Sequence, residues 1–275
     1  MTSGSVIGLA VHRFREDAVA LGDALSTWAR ARGLDVVDLE GADRAPDLVV
    51  SIGGDGTMLR AVRALRGEPV PIIGVNMGSL GYLADVEADS AIAAVDTWLS
   101  GARDGACRVE DRMLLDVRVD DGSGDLSSSL ALNEVVLEKR DAGHTVHLAV
   151  GIDGAPFTTY AADGLIIATP TGSTAYSLSA RGPVVSPRLR AILVTPVSPH
   201  MLFDRSLVLD PSEPVRIEVL DHRAATVSVD GAPMHTLDTG GVVTVTASEK
   251  TARFVRFGAT RFHEVLKSKF GLADR

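Results

Sequence analysis

Apolar residues along the first hundred positions follow two alternating rhythms. Short apolar runs at 6–11, 35–39, 48–52 and 71–75 read as strands. After the first of them, Ala18, Leu21, Leu25, Trp28 and Ala29 recur at spacings of three and four, which predicts one buried helical face closed near Gly33. A second helix is predicted over 58–66 with Thr57 as its cap, and a third through Ile92, Val95 and Leu99 with Asp89 or Ser90 at its start. Strands alternating with helices predict a parallel sheet with helices on its faces. In such sheets ligands bind beyond the carboxyl ends of the strands.

The rhythm changes near Gly101. Short strands with little helix are predicted at 113–119, 131–137, 146–152, 165–168, 191–195, 207–209, 215–219, 226–229 and 242–246. Asp153-Gly154 and Asp230-Gly231 are hairpin-turn signals. The stretch 120–129 is so rich in Asp, Gly and Ser that it reads as a flexible polar loop. A last strand at 253–257 and a helix at 260–270 resemble the first part of the chain more than the second. The expected division is an α/β domain over 1–104, a β-rich, sandwich-like domain over 105–251, and a tail, 252–275, returning to the first.

Composition narrows the chemistry. The 275 residues are 45% hydrophobic but only 4% aromatic, so the core must be built from Val, Leu, Ile and Ala. A net charge of −9 argues against nucleic acid as a partner and against an anionic membrane surface. The single cysteine, Cys107, leaves no intrachain disulfide or cysteine-rich metal site and reads as a small hydrophobe. With no basic segment leading into an apolar one at its start and no long apolar stretch, the expectation is a cytoplasmic protein.

Three groups of residues carry the chemistry. Gly53-Gly54-Asp55-Gly56-Thr57 follows the strand at 48–52 and opens a helix. Glycines there free the backbone, and a helix N-terminus attracts phosphate, yet Asp55 would repel it. The carboxylate is either a general base or an indirect metal contact; the alternative is a Gly-Asp turn that only ends a strand. Secondly, Asp163-Gly164 leads through an apolar strand into Thr169, Thr171, Ser173, Thr174, Tyr176 and Ser177. These hydroxyls suit ribose, an adenine edge or phosphate; a well-capped helix after a strand accounts for one or two of them. Thirdly, Asn133 and Glu134 lie inside an apolar run, where buried polar groups need partners from a ligand or a neighbouring loop.

Taken in their order along the chain, the three groups resemble the NAD kinase family. The resemblance extends to 76–83, 192–200, 228–231 and 269–272, so it spans nearly the whole chain, and it is strongest in the Thr169–Ser177 stretch together with Asn133-Glu134. It implies an α/β nucleotide-binding domain with a parallel sheet plus a β-sandwich domain. It also implies transfer of the γ-phosphoryl of ATP, or in some members of polyphosphate, to the 2′-hydroxyl of the adenosine ribose of NAD. Asp55 then matches the base, with Gly54, Gly56, Thr57, Arg60 and Asn76 around the substrate. Asn133 and Glu134 match the pair holding the nucleoside, and His144 a further contact. Ala161 and Asp163 fall beside the dinucleotide, and Thr174, Ala175, Tyr176, Ser177, Leu178 and Ser179 match the segment around adenine. Mg²⁺ is expected to arrive on ATP with no metal ligands from the protein, and the assembly is expected to be a homodimer or homotetramer. A lipid kinase sharing the glycine turn and a non-catalytic dinucleotide sensor are the alternatives.

The chain departs from the family at Arg181, where glycine is usual; the guanidinium could touch phosphate, alter a turn or face solvent. Ala161 is small where some members carry a basic residue. Trp28 and Trp98 read as core, Arg63 and Arg66 as solvated helix surface, and Asp85 and Glu87 as polar positions before a helix. No histidine shows metal-ligand spacing.

Overall fold

The computed structural model describes residues 5–78, 81–101, 106–124, 126–220, 223–258 and 262–272. Ser79 and Leu80, the expected domain boundary at 104–105, Asp125, His222 and the expected helix start at 260–261 lie outside the described residues. The chain forms two compact units, Met1–Asp111 with Ala252–Arg275, and Arg112–Thr251.

The first unit runs β1 (Val6–Val11), α1 (Glu16–Arg30), β2 (Asp35–Asp38), β3 (Leu48–Gly53), α2 (Asp55–Leu65), β4 (Pro71–Asn76), the short β5 (Val86–Glu87) and α3 (Ala91–Leu99). The pairings among β1 to β5 are parallel, in the order β2-β1-β3-β4 with β5 beside β4. β1 and β3 are buried along almost their whole length, with Ser51 the one polar side chain in them, because helices cover both faces of a parallel sheet. Ile7, Val50, Ile52, Ile73 and Val75 pack with Ala18, Leu25 and Ala29 of α1 and with Val95 of α3; Trp28, Trp98 and Cys107 lie at the margin of that core. β2 and β3 flank β1 on opposite sides. The strand order therefore reverses at β1 and β3, and Gly53-Gly54-Asp55 leaves β3 at the crevice such a reversal creates.

The chain continues with β6 (Cys107–Asp120), β7 (Leu126–Ala131), β8 (Glu134–Lys139), β9 (Val146–Ile152), β10 (Ala155–Ala162), β11 (Gly164–Ala168), the single turn α4 (Tyr176–Ser179), β12 (Ile192–Val197), β13 (Leu207–Leu209), β14 (Val215–Val219), β15 (Ala225–Val229), β16 (Ala232–Leu237) and β17 (Val242–Phe257), most of which form the second unit; α5 (Phe262–Phe270), the last described element, belongs to the first. One antiparallel sheet has the order β13-β12-β11-β8-β15-β16. A second joins β10, β9, β14 and the first residues of β17, also antiparallel. The last residues of β17, Arg253–Val255, belong to the first unit and pair in parallel with its β4. Inward residues of the two antiparallel sheets, such as Val135, Leu137 and Ile167 against Leu148, Tyr160 and Ile217, form one sandwich core. Period-two alternation places Val136, Ile166 and Leu193 on the opposite face, where Tyr176, Ala180 and Val185 cover them. Both predicted hairpin turns are present, with Asp153 and Asp230 at φ of 51° and 48°, each followed by a glycine at positive φ.

Four expectations are corrected. The predicted loop at 120–129 contains β7, which pairs antiparallel with β6 from Asp120↔Leu126 to Leu115↔Ala131. Its serines hid a strand whose alternate positions carry Leu126, Ser128 and Leu130. The tight turn is instead made by Asp120 and Asp121 accepting the amides of Gly122 and Ser123. α2 starts at Asp55, with Gly54 at the cap, so Thr57 lies inside the helix and does not cap it. Asn133 sits in a bend before β8 and not within a strand. After Ser173 and Thr174 the chain makes only one helical turn. No helix among the described residues is long and apolar enough to cross a membrane.

Candidate active site

In the first unit, Asp55 is held from outside its own helix. Its Oδ2 accepts the amide of Tyr82 and its Oδ1 that of Leu83, each at 3.0 Å. A carboxylate offers about four lone-pair positions, so both oxygens keep one for a ligand. Gly81 lets the loop approach this closely, because a Cβ there would collide with Asp55 Oδ1 and stand 3.0 Å from its Cγ. The Tyr82 phenol is shifted up by burial and secondly by the Asp55 charge. Gly53 is a packing glycine, since a Cβ would come within 2.8 Å of Thr57 Cβ. Gly54 and Gly56 differ: both are exposed, a Cβ on either would meet nothing within 4 Å, and neither has a positive φ. Nothing inside the protein requires glycine at these two positions, so the bare backbone is open to a ligand.

Neighbouring residues support this turn. Thr57 is buried. Asn76, also buried, folds back on Gly78, donating from Nδ2 to its carbonyl at 3.0 Å and accepting its amide at 3.4 Å. Arg60 is engaged elsewhere, donating to the Val11 carbonyl at 2.8 Å and lying 3.6 Å from Glu40. It lines a cleft of about 280 Å³ with Val11, Arg13, Asp38 and Glu40, and Asp55 is not among the lining residues.

In the second unit, Asp230 organises the Asn133-Glu134 bend. Its carboxylate accepts the amides of Leu132, Asn133 and Glu134 at 2.8, 2.7 and 3.1 Å, while its own amide donates to the Glu134 carbonyl. From the other side, Thr169 donates through Oγ1 to the Leu132 carbonyl at 2.6 Å and through its amide to the Asn133 carbonyl at 2.8 Å. Gly172 has no room for a side chain, since a Cβ would collide with Asn133. The Glu134 side chain starts on the face of β8 covered by α4 and is 6% exposed. Its carboxyl is pushed up to about 8, first by burial and then by Asp230, against a hydrogen bond from the Tyr176 amide. Its Oε2 is buried without a hydrogen-bond partner. A buried polar atom of this kind is costly unless something binds it.

The six hydroxyls have partners within the protein. Thr169 holds the Leu132 carbonyl, and Thr171 accepts from the buried Arg112 at 3.3 Å. Ser173 bonds Pro170 and Val185, and Thr174 the Thr171 carbonyl. Tyr176 donates to Glu138 at 2.7 Å, and Ser177 pairs with Thr195. The segment around α4 is thereby pinned onto the sheet, and its hydroxyls fix its shape. Ser177 is fully buried, whereas Ser179 is exposed and Thr174, Ala175, Tyr176 and Leu178 are partly accessible. Burial and the Glu138 bond push the Tyr176 phenol to about 12. Asp163 pairs with Lys139 at 2.6 Å, next to the partly accessible Ala161. His144 lies on an exposed turn between β8 and β9. Arg181 is exposed at φ 66°, the conformation that suits glycine best, so its side chain faces solvent after a turn that glycine would make without strain.

Two supports were not singled out from sequence. The sequence marks Asp230 as half of a hairpin turn and as part of the family-like stretch 228–231, without pointing to its role at Asn133-Glu134. Arg256 was detectable as the one charge in Phe254-Val255-Arg256-Phe257. It is 7% exposed and donates to the Leu83 carbonyl at 2.6 Å. Among the described residues no three His, Cys, Asp or Glu side chains converge to hold a metal ion.

Comparison with known proteins places these groups in a family. Residues 8–102 match the ATP-NAD kinase N-terminal domain and residues 132–257 the ATP-NAD kinase C-terminal domain. The NAD kinase of Heliobacterium modesticaldum is 40% identical over 227 residues, covering 82% of this chain and 79% of that protein. The NAD kinase of Syntrophotalea carbinolica is 34% identical over 286 residues, covering 98% and 99%. Yeast NADH kinase complexed with NADH has the same fold at a TM-score of 0.90, with 23% identity over 100% of this chain and 89% of that one. An NAD kinase from Archaeoglobus fulgidus in complex with ATP follows at 0.72, with 24% identity over 97% of both chains. Matched by a family domain in each unit and by relatives along nearly its full length, this chain belongs to the NAD kinase family.

Proposed function

We propose that this kinase transfers the γ-phosphoryl group of ATP to the 2′-hydroxyl of the adenosine ribose of NAD, with Asp55 as general base. The new bond joins the ribose O2′ to phosphorus, the bond from phosphorus to the ADP oxygen breaks, and the hydroxyl proton passes to Asp55. A ribose hydroxyl is a poor nucleophile at neutral pH, and a positioned base contributes about 10²–10⁴-fold. The observation that carries the reading is the Asp55 carboxylate, fixed by two backbone amides beside glycines that nothing inside the protein requires.

The rest of the reaction is positioning and charge neutralisation. Asn133 and Glu134 hold the nucleoside, the partnerless Glu134 oxygen accepting from its hydroxyls. Gly54 and Gly56 let the substrate reach the backbone at the start of α2. Magnesium comes bound to the ATP phosphates and neutralises their charge; no step is assigned to a metal held by the protein. ATP is the proposed donor, with polyphosphate as the variant to compare, and a homodimer or homotetramer is the proposed assembly, to be read by light scattering.

The test incubates purified protein with Mg²⁺ and ATP plus NAD, NADH or a diacylglycerol, and identifies the phosphorylated species. NADP from NAD is the expected product. Phosphorylated lipid, or dinucleotide binding without product, would overturn the reading.

A further inference from the structure

The loop at 81–85 that holds Asp55 is itself gripped from its other side. Asp55 takes the amides of Tyr82 and Leu83, and Arg256 Nη1 donates to the carbonyl of that same Leu83 at 2.6 Å. The guanidinium is also 3.6 Å from Asp85 and 3.8 Å from Glu110, and it sits 5.4 Å from the ring of Phe254. Two carboxylates and an aromatic face thus surround a buried cation whose Nη1 donates to a loop carbonyl. A planar fork of five N–H groups can serve a carbonyl and carboxylates together, which the point charge of lysine cannot. The loop packs closely on Asp55, since even a single methyl at Gly81 would run into its carboxylate.

We propose that Arg256 is a positioning residue for phosphoryl transfer: by anchoring the Leu83 carbonyl it fixes the two amides that orient the Asp55 carboxylate toward the substrate hydroxyl. Arg256 touches no reacting atom and acts through the peptide backbone. Displacements of about an ångström at a reacting group cost on the order of 10²-fold in rate. Loosening this anchor therefore lowers turnover without weakening substrate binding. The inference rests on the reading of Asp55 as base.

Removing the positive charge alone would strand Asp85, whose carboxyl is already shifted up by burial and held back by Arg256. The test therefore uses Arg256→Lys in the full chain, which keeps the charge and loses the fork. Expected are a kcat about 10- to 100-fold lower, KM for NAD and ATP within about twofold, and faster hydrogen exchange at the Tyr82 and Leu83 amides. A kcat within twofold of wild type, or unchanged exchange at both amides, overturns the proposal. Should Arg256→Lys not fold, Arg256→Met with Asp85→Leu removes both charges and is expected to give the same pattern. Asp55→Ala is measured alongside. If it turns over NAD at the wild-type rate, the reading of Asp55 fails, while the exchange data still judge the link from Arg256 to the loop.

Discussion

Glu134→Gln separates the charge of the site from its shape. In the folded protein Glu134 titrates near 8, against an ordinary value of 4.5, because its carboxyl is buried and faces Asp230. Below about pH 4.5 the side chain is protonated folded or unfolded and contributes no pH dependence. Between 4.5 and about 8 the folded state keeps a proton that the unfolded state releases, so stability falls as pH rises. Above about 8 both states are ionised and the loss is complete. At about 1.4 kcal/mol per pH unit, the interval from 4.5 to about 8 amounts to about 5 kcal/mol, of which about 3 kcal/mol is already lost at neutral pH. Glutamine cannot ionise, and its oxygen can still accept the Tyr176 amide. Urea denaturation without ligand, followed in the second unit, should give similar stabilities for wild type and variant near pH 5. The variant should be more stable by about 3 kcal/mol near pH 7 and about 5 kcal/mol near pH 9. Its KM for NAD should rise, because glutamine presents an amino group where a carboxyl oxygen is proposed to accept from the nucleoside hydroxyls. A difference that stays constant with pH, or that reverses sign, refutes the reasoning.

Three other changes probe the supports. Gly81→Ala forces a methyl into the Asp55 carboxylate; kcat should fall at least about tenfold and stability by about 1–3 kcal/mol, and an unaltered kcat would count against the clamp. Asp230→Asn leaves one of three backbone amides without its acceptor, so KM for NAD should rise and unfolding should come at lower urea; unchanged values for both would remove Asp230 from the site. Arg181→Gly relieves a left-handed residue and should leave activity intact while adding up to about 1 kcal/mol; lost activity would instead give the guanidinium a functional role.

The parallel first unit was legible because its strands are apolar on both faces and its helices keep a clear period. The sandwich was legible from period-two alternation, and its Asp-Gly turns from the need for positive φ at both central residues. What escaped were partnerships between distant positions. Ser127–Ser129 lowered the apolar content of β7 below notice, although backbone pairing with β6 needs no apolar side chain. The hydroxyls from Thr169 to Ser177 announced a demand for hydrogen bonds, but only the fold shows that Leu132, Glu138, Val185 and Thr195 meet it. Asp55 stood out from its glycines; its grip on Tyr82 and Leu83, more than 25 residues away, left no local pattern. Arg256 left a faint one, a charge inside an apolar strand.

Asp55→Asn tests the central claim most directly. Asparagine can still accept one loop amide, presents an amino group to the other, and cannot take a proton from the ribose hydroxyl. With NADP formation as readout, kcat should drop by about 10²–10⁴-fold while the Kd for NAD stays within a few-fold. Turnover at the wild-type rate by the folded variant would contradict the account.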